Sequence, residues 1–171
     1  MKRTIYSSIA LLGTSADPPT TGHKAILIGL SKLFPTVATW ASNNPEKKHR
    51  ASLDQRHELL STLVEAINLP NLQLRQELSS QWALMTLEQA KDYWPGKRLM
   101  LIIGSDLVKS LPTWFEAKKV LREAGIGVVP RLGWPINSNE LKVITNMGGK
   151  VTVLPLDIPA AASSAIHSNP H

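Results

Sequence analysis

Leu12-Gly13-Thr14-Ser15-Ala16-Asp17-Pro18-Pro19-Thr20-Thr21-Gly22-His23-Lys24 is the stretch on which the reading of this chain turns. A short apolar run, Ile9 to Leu12, precedes it and reads as a buried strand. Small residues and two prolines then turn the chain. A helical pattern follows from about Thr21 to Phe34, with Ile26, Leu30, Leu33 and Phe34 on one face. The first N–H groups of such a helix have no partner inside it, and its dipole adds partial positive charge. With Gly22-His23 at the opening, the stretch reads as an anion site, against the alternative of an ordinary strand-to-helix loop.

Lys2-Arg3, the apolar run and the small residues after it imitate a signal peptide. The apolar part is short and interrupted by Ser7 and Ser8, so the strand reading is preferred. The chain has 171 residues, enough for one domain with a sizeable core. It is 43% hydrophobic and 19% charged, which separates it from disordered chains. No apolar run reaches membrane-spanning length, so no membrane partner is expected. The absence of cysteine excludes disulfides, thiolate metal sites and a thiol nucleophile, and fits a reducing compartment such as the cytoplasm. His49, His57, His167 and His171 lack ligand spacing, and no metal site is expected. A net charge of +6 suits a phosphate-bearing partner. Aromatics are 5% and are not interleaved with basic residues, which argues against nucleic acid as that partner.

Beyond the first helix, Thr36 to Ala41 reads as a second strand, punctuated by Ser42-Asn43-Asn44-Pro45. The basic run Glu46-Lys47-Lys48-His49-Arg50 is either a solvated surface or a clamp for phosphate oxygens. Ser52 and Gln55 have capping-box spacing and open a helix that ends near Pro70. Leu72 to Arg75 alternates like a strand, and Thr86 with Gln89 predicts a helix start running to about Trp94. Leu99 to Ile103, closed by Gly104, has the continuous apolar character of a strand buried on both faces. Ser105-Asp106 follows it, and Thr113 with Glu116 predicts another capped helix. A strand at Gly127 to Val129, a helix at Asn139 to Met147 and a strand at Val151 to Leu156 complete the pattern. Strands alternating with helices predict an α/β fold, a Rossmann-like, doubly wound, mostly parallel sheet with helices on both faces. Ligands of such sheets sit beyond the carboxyl ends of the strands. Residues 14–23, 43–50 and 105–114 all fall there.

With Thr20-Thr21-Gly22-His23 set inside Gly13-Thr14-Ser15-Ala16-Asp17-Pro18, the chain resembles the nucleotidyltransferases with a (His/Thr)-x-Gly-His signature. It is most similar there to the bacterial nicotinate-mononucleotide adenylyltransferases of cyanobacterial type. Ile102-Ile103-Gly104-Ser105-Asp106, Leu111-Pro112-Thr113-Trp114 and Gly127-Val128-Val129-Pro130-Arg131 match that family's middle. Asn44 to His49 corresponds to its basic loop, and Gln55-Arg56 to the helix after it.

The resemblance implies transfer of AMP from ATP, with its Mg²⁺, to nicotinate mononucleotide. His23 would meet the α-phosphate, with Thr20 as helper and Lys48 as the basic-loop contribution. Gly13, Thr14, Ser15, Gly22, Gly104, Asp106, Ser163, Ser164 and His167 would line the ATP site. Ser15, Ala16, Lys48, Trp82, Thr86 and Trp114 would line the acceptor site, with Trp114 stacked on the pyridine ring. From the residues alone, Asp106 could equally cap a helix, and Trp114 could equally be a core residue.

The chain departs from the family at two places. The family's Tyr-Thr element aligns with Trp82-Ala83, and an arginine of its C-terminal Ile-Ser-Ser-Thr-x-Ile-Arg element aligns with His167. Histidine cannot form the guanidinium fork. The chain also ends at His171, before the closing helix expected of the family. A pantetheine-phosphate adenylyltransferase and a non-catalytic nucleotide-binding relative are the alternatives, and a homo-oligomer is compatible with all three.

Overall fold

The computed structural model describes residues 4–43 and 48–156. Strands β1 (Ile9–Thr14), β2 (Thr36–Ala41), β3 (Leu72–Leu74), β4 (Leu99–Gly104), β5 (Gly125–Val129) and β6 (Val151–Val153) form one sheet. Helices α1 (Thr21–Leu33), α2 (Leu53–Ile67), α3 (Ala83–Tyr93), α4 (Ala117–Glu123) and α5 (Ser138–Asn146) connect them. The six strands lie in the order β3-β2-β1-β4-β5-β6, and each neighbouring pair is parallel. The mostly parallel sheet read from the sequence is therefore parallel throughout. The apolar run preceding Gly13 is its central strand.

Side-chain alternation sorts the helices onto the two faces. Ile9 and Leu11 of β1 join Leu99, Leu101 and Ile103 of β4 in a core with Leu84, Leu87, Val120 and Ile144, which belong to α3, α4 and α5. Ala10, Met100 and Ile102 point the other way, into a core with Leu27, Leu30 and Leu60 from α1 and α2. Each fully buried leucine here contributes roughly 1.5–3 kcal/mol relative to exposure. Both cores are needed, because the central strands are apolar on both sides.

Chain order reverses direction between β1 and β4, and there the register places the site. β1 pairs with β2 along its whole length, from Ile9 opposite Thr36 to Thr14 opposite Ala41. Its pairing with β4 ends at Leu11 opposite Leu101, although both strands run on to Thr14 and Gly104. The two strands thus part at their carboxyl ends. This is the crevice in which doubly wound sheets bind ligands.

Three sequence expectations are corrected. Helix α3 begins at Ala83, not Thr86; Thr86 is 3% exposed and donates its hydroxyl to Leu78 O at 2.6 Å. Trp82 precedes the helix and has no capping side chain, so the polar signature was absent where the helix starts. Thr113 does not cap α4: its hydroxyl bonds back to Ser110 O at 2.6 Å, and residues 111–113 form a separate 3-10 turn. Strand β6 ends at Val153, short of Leu156. No helix among the described residues is long and apolar enough to cross a membrane.

Candidate active site

The head of α1 faces the crevice from the end of β1. Thr20 is its N-cap, with its hydroxyl accepting from the His23 N–H at 3.4 Å. His23 returns the bond: its Nδ1 accepts from the Thr20 backbone N–H at 2.8 Å. This is a capping box with histidine at the third position. Because Nδ1 is an acceptor, the neutral ring carries its proton on Nε2. The first turn itself contains no acidic residue to compete for an anion. Gly22 is buried within the same turn.

Behind this turn, Gly13 lies against the Trp40 indole; a Cβ on Gly13 would come within 2.7 Å of Trp40 Nε1. Thr14 and Ala16 are buried, Ser15 is half-buried, and Ala16 has a left-handed φ of 49°. The Asp17 carboxylate is 5% exposed and accepts the backbone N–H groups of Arg50 and Ala51. Arg56, on α2, is also buried and lies in the same region. Burial pulls its guanidinium pKa down from the usual arginine value, and Asp17 opposes that shift. Lys48 is exposed beyond the end of β2. Lys47, from the same basic run, lies outside the described residues.

The opposite wall follows β4. Gly104 leaves room for Asp106, whose Oδ1 occupies the position that a Cβ on Gly104 would need. Asp106 is not a helix cap: its Oδ2 pairs with Arg131 Nη1 at 2.9 Å. Ser105 is buried; its hydroxyl donates to Trp134 O at 2.7 Å and accepts from Arg131 N–H at 2.9 Å. These bonds fix the loop after β5 to the end of β4. Trp114 rests one side on the core and donates its indole N–H to Ser110 Oγ at 3.2 Å. Trp82 and Phe115 form a tilted ring pair 5.1 Å apart, both partly open to solvent.

The structure thus brings Thr14, Ser15, Thr20, Gly22 and His23 to the end of β1. Gly104 and Asp106 stand at the end of the neighbouring β4. Thr86 is withdrawn into the core. Ser163, Ser164 and His167 lie outside the described residues. Asp17, Arg56, Arg131 and Phe115 join the candidate site only in the folded structure. The three-residue spacing of a capping box could reveal His23, but no local pattern reveals Arg56, whose partners include backbone carbonyls 14 and 41 residues away. Among the described residues no group of three or more His, Cys, Asp and Glu could hold a metal ion.

Residues 11–168 match the model of the cytidylyltransferase-like family. A Synechocystis protein named "Probable nicotinate-nucleotide adenylyltransferase" is 37% identical over 151 residues, covering 82% of this chain and 76% of that protein. A Rhodopirellula baltica protein of the same name is 30% identical over 135 residues; the match covers 74% of this chain and 63% of that protein. Among solved structures, the fold is similar to Plasmodium falciparum nicotinic acid mononucleotide adenylyltransferase complexed with NaAD. The TM-score is 0.71 at 20% identity, over 87% of this chain and 75% of that one. The chain belongs to the cytidylyltransferase-like family, and the relatives it resembles there are nicotinate-nucleotide adenylyltransferases.

Proposed function

We propose that this chain transfers the adenylyl group of ATP to nicotinate mononucleotide, forming deamido-NAD and pyrophosphate in NAD biosynthesis. One observation supports it most: the α1 head with Thr20 and His23, and the Asp106–Arg131 pair, flank the parted ends of adjacent parallel strands. The named relatives point to the same reaction.

The chemistry asks little covalent work of the protein. A phosphate oxygen of the mononucleotide would attack the α-phosphorus of ATP. The bond from that phosphorus to the bridging oxygen would break, and pyrophosphate would leave with the electron pair. The attacking phosphate is already ionised near neutrality, so no strong general base is required. Alignment of two repelling anions and compensation of charge are required instead. The α1 N–H groups and His23 Nε2–H would bind the α-phosphate region. Lys48 would add a full charge from the side of β2. Mg²⁺ would enter as part of the MgATP substrate, held by phosphate oxygens and water. Asp106, steadied by Arg131, would hold a nucleotide sugar hydroxyl, and Trp114 would offer a ring face to the pyridine. Helix α3 lacks a side-chain cap at Trp82, and the N–H groups of Ala83 and Leu84 at its start would be the donors offered to the pyridine carboxylate. We place the reaction in the cytoplasm and assign the +6 charge to these anionic substrates rather than to nucleic acid.

The test is pyrophosphate release from ATP and Mg²⁺ with each acceptor in turn. Release with nicotinate mononucleotide supports the reading. Release only with phosphopantetheine, or ATP binding without turnover, overturns it.

A further inference from the structure

We propose that Arg56, with Asp17 as its counter-charge, is a positioning residue that staples the basic loop's two feet to the loop after β1. The inference rests on the adenylyl-transfer reading for its kinetic consequence, not for its geometry.

Three chain segments meet at one guanidinium. Arg56 Nη1 donates to Ser15 O at 3.1 Å and to Ser42 O at 2.8 Å, and Nε donates to Ala51 O at 3.3 Å. Ser15 belongs to the loop between β1 and α1. Ser42 is the foot at which the chain leaves β2, and Ala51 is the foot at which it returns to α2. Lys48 lies between those feet. The foot at Ser42 has further support: Ser42 N–H donates to Thr14 O at 2.8 Å, and the Gln76 carboxamide pairs with both backbone groups of Ala41 at 2.9 Å. The foot at Ala51 is gripped by Asp17, which takes the N–H groups of Arg50 and Ala51. Arg56 therefore reaches both feet and the anion loop at once.

The residue type matters. A planar guanidinium presents donors in a fixed fork and can satisfy carbonyls from three directions. Lysine keeps the charge but concentrates its donors at one atom. Arg56 is 3% exposed, so water cannot replace a lost bond cheaply. The charge is tolerated there because Asp17 lies near enough to favour it. Asp17 is itself only 5% exposed, so the two charges are buried together.

Arg56→Lys and Asp17→Asn test this in two independent ways. The first needs no assumption about substrate: limited trypsin digestion under native conditions, with fragments identified by mass. Cleavage after Lys48 and Arg50 should quicken about tenfold relative to cleavage elsewhere, as expected of a locally opened segment. Uniform acceleration at all sites, or none, overturns the staple. Asp17→Asn covers the case in which Arg56→Lys does not fold, since it releases only the Ala51 foot.

The second is a double-mutant cycle on kcat/KM for pyrophosphate release. Arg56→Lys alone should cost about tenfold, and should cost less than about twofold when added to Lys48→Ala, because coupled residues are not additive. Full additivity would mean that Arg56 does not act through the Lys48 loop. Absence of turnover in the unmodified protein would remove the adenylyl-transfer reading and leave the digestion result standing on its own.

Discussion

Thr20 and His23 hold each other reciprocally at the head of α1: the Thr20 N–H donates to His23 Nδ1 at 2.8 Å, and the His23 N–H donates to the Thr20 hydroxyl at 3.4 Å. The same protein builds the same box at α2 with an ordinary partner, Ser52 with Gln55, whose bonds are 3.0 and 3.1 Å. A glutamine is sufficient to cap. Histidine in α1 caps and, in addition, carries a ring N–H on Nε2. That difference separates structure from chemistry at one position.

His23→Gln should keep the capping box, and with it the melting temperature, while pyrophosphate release falls about 10²–10³-fold, the usual cost of removing a donor to developing charge. His23→Ala should lose activity similarly and also about 1 kcal/mol of stability, because the cap is broken. Thermal melts beside steady-state rates check both. Equal activity of His23→Gln and the unmodified protein would remove the imidazole from the reaction.

Gly104→Ala places a methyl group on the Asp106 carboxylate, which Arg131 holds at 2.9 Å. The expected outcome is displacement of Asp106 with a fall in kcat/KM of about tenfold or more, in line with misplacement of a positioning group. Asp106→Asn should reduce kcat/KM in the same direction. It should also cost about 1–2 kcal/mol, since Arg131 would lose a charged partner in a half-buried setting. Urea denaturation of the two variants distinguishes them: the alanine acts on geometry first, the asparagine on charge.

Thr86→Val tests the reassignment of a residue that the family resemblance placed at the acceptor. Its hydroxyl donates to Leu78 O inside the core. Valine has the same shape but leaves that carbonyl without its donor, at a cost of about 1–3 kcal/mol. The Michaelis constant for nicotinate mononucleotide should not move. A large rise in that constant with stability unchanged would return Thr86 to the site.

The fold was legible wherever burial forced a periodic pattern. Ile9 to Leu12 and Leu99 to Ile103 are apolar on consecutive positions because helices cover both faces of their strands. Ser52 and Gln55 announced α2 because the box is local in sequence. Helix α3 begins earlier than its sequence signature because Trp82, which precedes it, has no capping group, while Thr86 has one and uses it elsewhere. Helix α4 departs from its signature for a related reason: Glu116 precedes it in a left-handed conformation, φ 53°, and Thr113 bonds backward. Within the candidate site, Thr20, His23 and Asp106 are legible from short motifs. Asp17 and Arg56 could not be assigned their roles, because those depend on backbone groups of Ser15, Ser42, Arg50 and Ala51 that only the folded sheet brings together. Arg131 was hidden likewise, since β5 had to lie beside β4 before it could reach Asp106.

The most direct test of adenylyl transfer follows the α-phosphorus. The full chain is incubated with ATP labelled at that atom, Mg²⁺ and nicotinate mononucleotide, and the products are separated. The account predicts label in deamido-NAD and unlabelled pyrophosphate, in equal amounts. Label that remains in ATP or appears only as free AMP, with no dinucleotide formed, would contradict it.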